Sequence, residues 1–244
     1  MKKLVLVASI LASTTVAASA ADMAPRYAKA PPPMIAPIYN WGGFYVGVNG
    51  GWGSSHNCWT NNAIGEGCHD SSGGSAGGQV GYRWQAGNWV FGLEAQGDWA
   101  DFSGSNASLR FAGVTNRTRI DAFGLFTGQV GYAWNNALFY VKGGAAVTDN
   151  RYDGLVTGTG VVLDRASDTR WGGAVGAGVE YGFAPNWSAA LEYNHLFMGN
   201  NNYVFTSAVA PVGVNTRSDN LRQDADMVNV KVNYHFGGPV VARY

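Results

Sequence analysis

Two cysteines, Cys58 and Cys68, stand ten residues apart, with His56 just before the first and His69 directly after the second. Thiols and imidazoles grouped this way could hold a soft metal ion, but the spacing matches no standard zinc pattern. In an exported chain the same thiols close a disulfide, which is the stronger reading of Cys58 and Cys68. A second set of reactive groups is dispersed along the chain: Arg83, Glu94, Asp98, Asp121, Lys142, Glu180, Glu192 and Lys231. Gathered out of water, these could form an acid/base dyad or an ion path. The plainer reading is a structural interior network of paired charges. His195 and His235 complete the four histidines, and they group with no nucleophile. The glycines from 172 to 178 lack the strand-to-helix setting of a phosphate cradle. Three Asn-X-Ser/Thr matches, at Asn106, Asn116 and Asn186, read as chance, since no N-glycosylating compartment is implied. No catalytic residue, cofactor or metal is expected.

The elements that carry these groups alternate. In MVNVKVNYHF (227–236), Val228, Val230, Val232, Tyr234 and Phe236 take one parity, and Asn229, Lys231, Asn233 and His235 the other. Successive strand side chains point to opposite faces, so one face is apolar and the other polar. The pattern recurs in FYVGVNGGW (44–52), GQVGYRW (78–84), WVFGLEAQGDW (89–99), FYVKGGAAV (139–147), WGGAVGAGVEY (171–181) and WSAALEYN (187–194). It is less regular in IDAFGLFTGQVGY (120–132), where Phe123 and Leu125 share the polar parity with Asp121. Eight strands are predicted.

The first 20 residues read as a signal peptide: Lys2 and Lys3, an apolar run from Leu4 to about Val16, then Ala18-Ser19-Ala20 as cleavage site. Their removal leaves 14 basic against 16 acidic residues, a formal charge of −2, so no basic field for nucleic acid exists. Residues 21–40 hold six of the eight prolines and read as an extended linker. The alternating strands occupy 41–236, followed by a short tail, 237–244.

Links between strands alternate in length. Residues 85–88, 135–136 and 184–186 are tight turns by residue type, whereas 53–74, 102–118, 148–168 and 199–224 are long and polar. All long links therefore lie at one end of an antiparallel up-and-down sheet, which closes as an eight-stranded barrel. A soluble carrier would coat its exterior with charge. Here charged residues make up 13% of the chain, against about 25% in soluble domains. The apolar parity ends in Trp and Tyr: Trp52, Trp84, Trp89, Trp99, Tyr132, Trp171, Tyr181, Trp187 and Tyr234. Those rings fit the two girdles of a transmembrane β-barrel, with spans of about nine to eleven residues. The eight charges from Arg83 to Lys231 then point into a lumen too narrow for a wide pore.

NWGGFYVGVNGGWG (40–53), FGLFTGQVGYAWNNALFYVKGG (123–144), GAVGAGVEYGFAPNWSAALEYNH (173–195) and VNVKVNYHF (228–236), in this order, resemble the alphaproteobacterial outer membrane immunogenic proteins. The resemblance covers nearly all of the mature chain. It implies an all-β barrel of outer-membrane-protein-A type, exported to the cell outer membrane and often labelled porin-like. It also implies a terminal aromatic, matched by Phe236, that the barrel-assembly machinery reads, although GGPVVARY follows and makes Tyr244 a rival. The family carries no catalytic residues to transfer. The expected role is a structural surface protein of the envelope; a narrow channel for ions or small solutes is the alternative. Expected partners are outer membrane lipid and lipopolysaccharide, the assembly machinery, and host or phage surface ligands.

Overall fold

The computed structural model describes residues 39–236; the expected signal peptide, most of the Pro-rich linker and the tail lie outside the described residues. Eight strands, β1 (Gly43–Asn61), β2 (Ile64–Ala86), β3 (Trp89–Ala107), β4 (Val114–Trp134), β5 (Ala137–Val156), β6 (Val162–Ala184), β7 (Trp187–Ser207) and β8 (Asn215–His235), form one closed barrel in sequence order. Each pairs antiparallel with the next, and β1 closes on β8 through Tyr45↔His235 to Asn61↔Asp219. Closure leaves no unpaired sheet edge, as a bilayer requires.

At one end the strands meet in two-residue turns, Gly87-Asn88, Asn135-Asn136 and Pro185-Asn186. Gly87 and Asn135 supply positive φ there (62° and 51°). At the other end the long links expected from composition are largely strand. Only 62–63, 108–113, 157–161 and 208–214 lie outside strands. At about 3.3 Å per residue and a tilt of about 40°, a 21-residue strand such as β4 rises about 50 Å, twice an apolar band of about 25 Å. The reason for the difference is visible in β1. Above Trp52 the outward side chains are Ser54, His56 and Thr60 and the inward ones Ser55, Asn57 and Asn61, so polarity stops alternating although the backbone does not.

The outward rows form an apolar belt. Val46, Val48, Val80, Leu93, Val141, Val175, Leu191 and Val230 are exposed around the barrel. Trp84, Trp89, Tyr132, Tyr181 and Trp187 stand exposed near the short turns, and Trp52, Trp99 and Trp171 toward the far end of the belt.

Strand irregularities cluster just beyond that upper ring. Register shifts occur at Trp99/Phe102, Ile120/Ala122 and Phe197/Asn200. The β6–β7 ladder is interrupted between Arg165↔Thr206 and Gly173↔Phe197. Arg170 turns into that gap and donates to the Met198 carbonyl through Nε (3.0 Å) and to the Leu221 carbonyl through Nη2 (3.1 Å). A buried guanidinium thus satisfies the Met198 oxygen that the broken ladder leaves open and ties β6 to β8.

The shift in β4 corrects one expectation. Asp121 is the extra residue of the bulge, and its carboxylate meets Arg151 Nε at 2.9 Å on the outer surface. It is an exterior charge, because a bulge resets the parity on which the interior assignment rested. Phe123 and Leu125 do point inward, where they pack with Phe102, Ile120, Leu196, Met198 and Met227. The linker boundary also moves. Tyr39, placed in the linker by composition, is 5% exposed inside the barrel mouth, packed with Trp41, Val90, Leu138 and Tyr140. Gly182 makes the room: any Cβ there would collide with the Tyr39 ring.

Candidate functional site

The lumen is filled in layers, which the inward positions of β8 follow in order from His235 up to Asp219. At the short-turn end Arg83 Nη2 meets Glu180 Oε2 at 2.7 Å. The other Glu180 oxygen accepts from Ser188 Oγ and from Asn233 Nδ2 (2.9 Å). The Arg83 guanidinium lies over the Tyr45 ring, 4.4 Å from its centroid. Tyr39 and Trp41 lie edge-on to the His235 ring at the same level.

One layer up, two lysines and two glutamates form a neutral square. Lys142 Nζ reaches Glu94 at 3.1 Å and Glu192 at 2.7 Å. Lys231 Nζ reaches the same two carboxylates at 2.9 and 2.8 Å. Tyr45 and Tyr140 donate their hydroxyls to the outer oxygens of Glu94 and Glu192, both at 2.8 Å. Asp98 is buried beside this square and accepts from Gln96 Nε2 at 2.8 Å. Of the eight charges expected inside, seven are there, and Arg83, Glu94, Lys142, Glu180, Glu192 and Lys231 meet oppositely charged neighbours.

Above the square lies the apolar layer of Phe102, Ile120, Phe123, Leu125, Leu196, Met198 and Met227, each at most 4% exposed. Beyond the broken ladder come Trp59, Tyr152, Tyr203, Phe205 and Leu221. Arg217 closes the column, paired with Glu66 (3.1 Å), Asp164 (3.1 Å) and Asp219 (3.2 Å) and stacked over Phe205. Burial raises the Asp219 carboxyl above its ordinary value, with the Glu66 and Asp164 charges adding to it and the Asn61 amide and Arg217 opposing. This upper cluster escaped sequence reasoning, since its members come from stretches composed like loops. The one signal was an isolated aromatic at alternate positions, Tyr203 and Phe205.

A serine–histidine–carboxylate grouping occurs at the lower end, with Ser188 Oγ 3.0 Å from His235 Nε2. Its connectivity is wrong for nucleophile activation. Glu180 approaches the same Nε2 at 3.3 Å, and His235 Nδ1 has no hydrogen-bond partner among the described residues. A general base needs its second nitrogen held by the acid. Both residues are buried, His235 with Tyr39 and Trp41 edge-on to its ring.

Cys58 and Cys68 face one another across the β1–β2 ladder and are joined as a disulfide. His56 lies beside them on the outer surface, whereas His69 points inward and bonds Asn106 (2.8 Å) and Thr118 (3.1 Å). Burial holds its imidazole below the ordinary value. His195 faces outward and pairs with Asp226 at 2.7 Å. Phe236 projects outward at the end of β8, its backbone N–H bonded to the Phe44 carbonyl (2.9 Å).

A closed eight-stranded barrel with a lipid-facing belt and a filled lumen has relatives of known sequence. Residues 8–236 match the family described as outer membrane protein beta-barrel domain. The chain belongs to that family. It is 31% identical over 219 residues to the 31 kDa outer-membrane immunogenic protein of Brucella melitensis, covering 83% of this chain and 90% of the relative. It is also 31% identical over 192 residues to a 22 kDa outer membrane protein of Rhizobium leguminosarum, covering 77% and 78%. A 25 kDa outer-membrane immunogenic protein of Brucella abortus matches at 29% over 206 residues, covering 83% and 87%. The protein is thus an outer membrane β-barrel, and the short turns mark its periplasmic end.

Proposed function

We propose that this barrel is a sealed structural component of the outer membrane, neither an enzyme nor a channel, and that its long hairpins present the surface met by host, antibody or phage ligands. The observation that carries the reading is the apolar layer of Phe102, Ile120, Phe123, Leu125, Leu196, Met198 and Met227 across the lumen. An ion crossing between these side chains would shed its water against apolar surface. The charged square below is neutral and fully paired, which suits an interior brace. Two of the relatives are named immunogenic, which suits display of the hairpins. Lipid and lipopolysaccharide would surround the belt, and the outward ring of Phe236 suits engagement by the assembly machinery during insertion.

Single-channel recording of refolded residues 21–244 in planar bilayers tests the reading, with heat-modifiable gel mobility certifying the folded barrel. No conductance steps are expected. Reproducible steps altered by Lys142→Ala would overturn the sealed barrel and make the charged square a permeation path.

A further inference from the structure

On the outer surface, six residues beyond Trp52 on β1, four polar side chains neighbour one disulfide. The register places His56 opposite Asp70 and Cys58 opposite Cys68. His56 Nδ1 lies 2.6 Å from Asp70 Oδ1, and His56 Nε2 lies 3.5 Å from Cys58 Sγ. On the other side of β1, the β8 ladder sets Arg222 opposite Cys58 and Asp224 opposite His56. Arg222 Nε and Asp224 Oδ2 are 3.5 Å apart, so the guanidinium stays over this face. The two sulfurs are not equivalent. Cys68 is exposed, and the β2–β3 ladder ends below it at Ser72↔Ser103, whereas Cys58 is half-buried between two paired strands.

We infer that Cys58–Cys68 is a thiol–disulfide exchange centre, in which Cys68 is the attacked sulfur and Cys58 the leaving group, open to thiols that reach the cell surface. An incoming thiolate attacks Cys68 Sγ along the S–S axis. A new disulfide forms to Cys68 as the Cys58–Cys68 bond breaks, and the electron pair of that bond leaves on Cys58 Sγ. His56, held at Nδ1 by Asp70, places Nε2 3.5 Å from that sulfur, where an N–H would hand the leaving thiolate its proton, and Arg222 is the cation across the ladder from Cys58. A thiol leaves faster when its thiolate is stabilised, and neighbouring His and Arg do this. A second thiol then attacks the incoming sulfur of the mixed disulfide and releases Cys68, so two thiols are oxidised to a disulfide and the protein's disulfide is reduced. A disulfide serving only to staple the hairpin has no need of an imidazole–carboxylate pair at one sulfur.

The test uses the refolded mature chain in lipid vesicles with glutathione as the thiol, quenched by an alkylating reagent and mapped by mass spectrometry. Glutathione is expected on Cys68 and the alkyl group on Cys58. The rate of exchange should fall about five- to tenfold in His56→Ala, as a more basic leaving group dictates, with heat-modifiable mobility retained. Glutathione on Cys58, an even division between the sulfurs, or an unchanged rate in a folded His56→Ala barrel would overturn the inference. The mapping uses the unmodified chain, so it decides even if the variant fails to fold.

Discussion

The part of the barrel between the aromatic rings and the part beyond the upper ring share the same eight strands and the same inward rows, yet their surfaces are opposite. Between the rings the outside is Val, Leu, Phe and Trp, and the inside holds Arg83, Glu94, Lys142, Glu180, Glu192 and Lys231. Beyond the ring the outside carries Ser54, His56, Arg151 and Arg222, and the inside has an aromatic column of Trp59, Tyr152, Tyr203 and Phe205. The difference follows the solvent. Lipid cannot satisfy polar groups, so below the ring charge is driven inward, where each charged side chain but Asp98 meets an opposite charge. Water accepts polar side chains, so above the ring the outside need not be apolar, and the interior combines the aromatic column with the buried Arg217–Glu66–Asp164–Asp219 cluster. The bulges on β3, β4 and β7 and the broken β6–β7 ladder fall at the junction of the two regimes.

The comparison is broken most strongly by removing a buried partner. Glu180→Ala leaves the Arg83 guanidinium sealed without a carboxylate, an expected loss of about 3–5 kcal/mol, measured by urea unfolding in vesicles. Its upper counterpart, Glu66→Ala, should lose clearly less, since Arg217 retains Asp164 and Asp219. An equal loss at both sites would mean that the two interiors are not differently built.

The exteriors can be separated by one substitution made twice. Leu191 and Val204 both face outward on β7, the first within the belt and the second beyond it. Leu191→Arg should destabilise by about 2–4 kcal/mol near the midplane, whereas Val204→Arg should stay within about 0.5 kcal/mol. Similar losses at the two positions would place the membrane boundary elsewhere.

The smallest expected effect is a pH dependence confined to the upper part. His69 is buried there, and burial holds its pKa down. The unfolded chain takes up a proton near pH 6.5, while the folded one resists it to lower pH. Folding stability is then complete above that range and falls as pH drops through it. Unfolding midpoints between about pH 7.5 and 5.5, around the ordinary histidine value, should show this slope. His69→Asn should flatten it, and an unchanged slope in that variant would remove His69 as its source.

Much of this was legible along the chain. The period of two assigned the inward row of β8 from Asn229 to His235 and the outward row from Val228 to Phe236, and it located Arg83, Lys142 and Glu192 inside. Side-chain direction in a strand is a local property of the backbone, so the residue types alone carry it. Asp121 shows where that stops: one extra residue in β4 turns its carboxylate outward, and whether a bulge forms depends on the strands alongside. The hairpins above Trp52 were hidden for a related reason, because pairing of polar strands is set by the neighbours' hydrogen bonds and not by contrast between faces. Tyr39 in the periplasmic mouth and Arg170 in the broken ladder are likewise decided by space and open carbonyls contributed by distant residues. The sequence by itself determined which face of each strand meets lipid, since that follows from the next residue along the chain. Only the tertiary structure decided how far the strands run and which groups seal the lumen, since those depend on residues that folding brings together from far along the chain, such as Arg217 and Glu66, 151 positions apart.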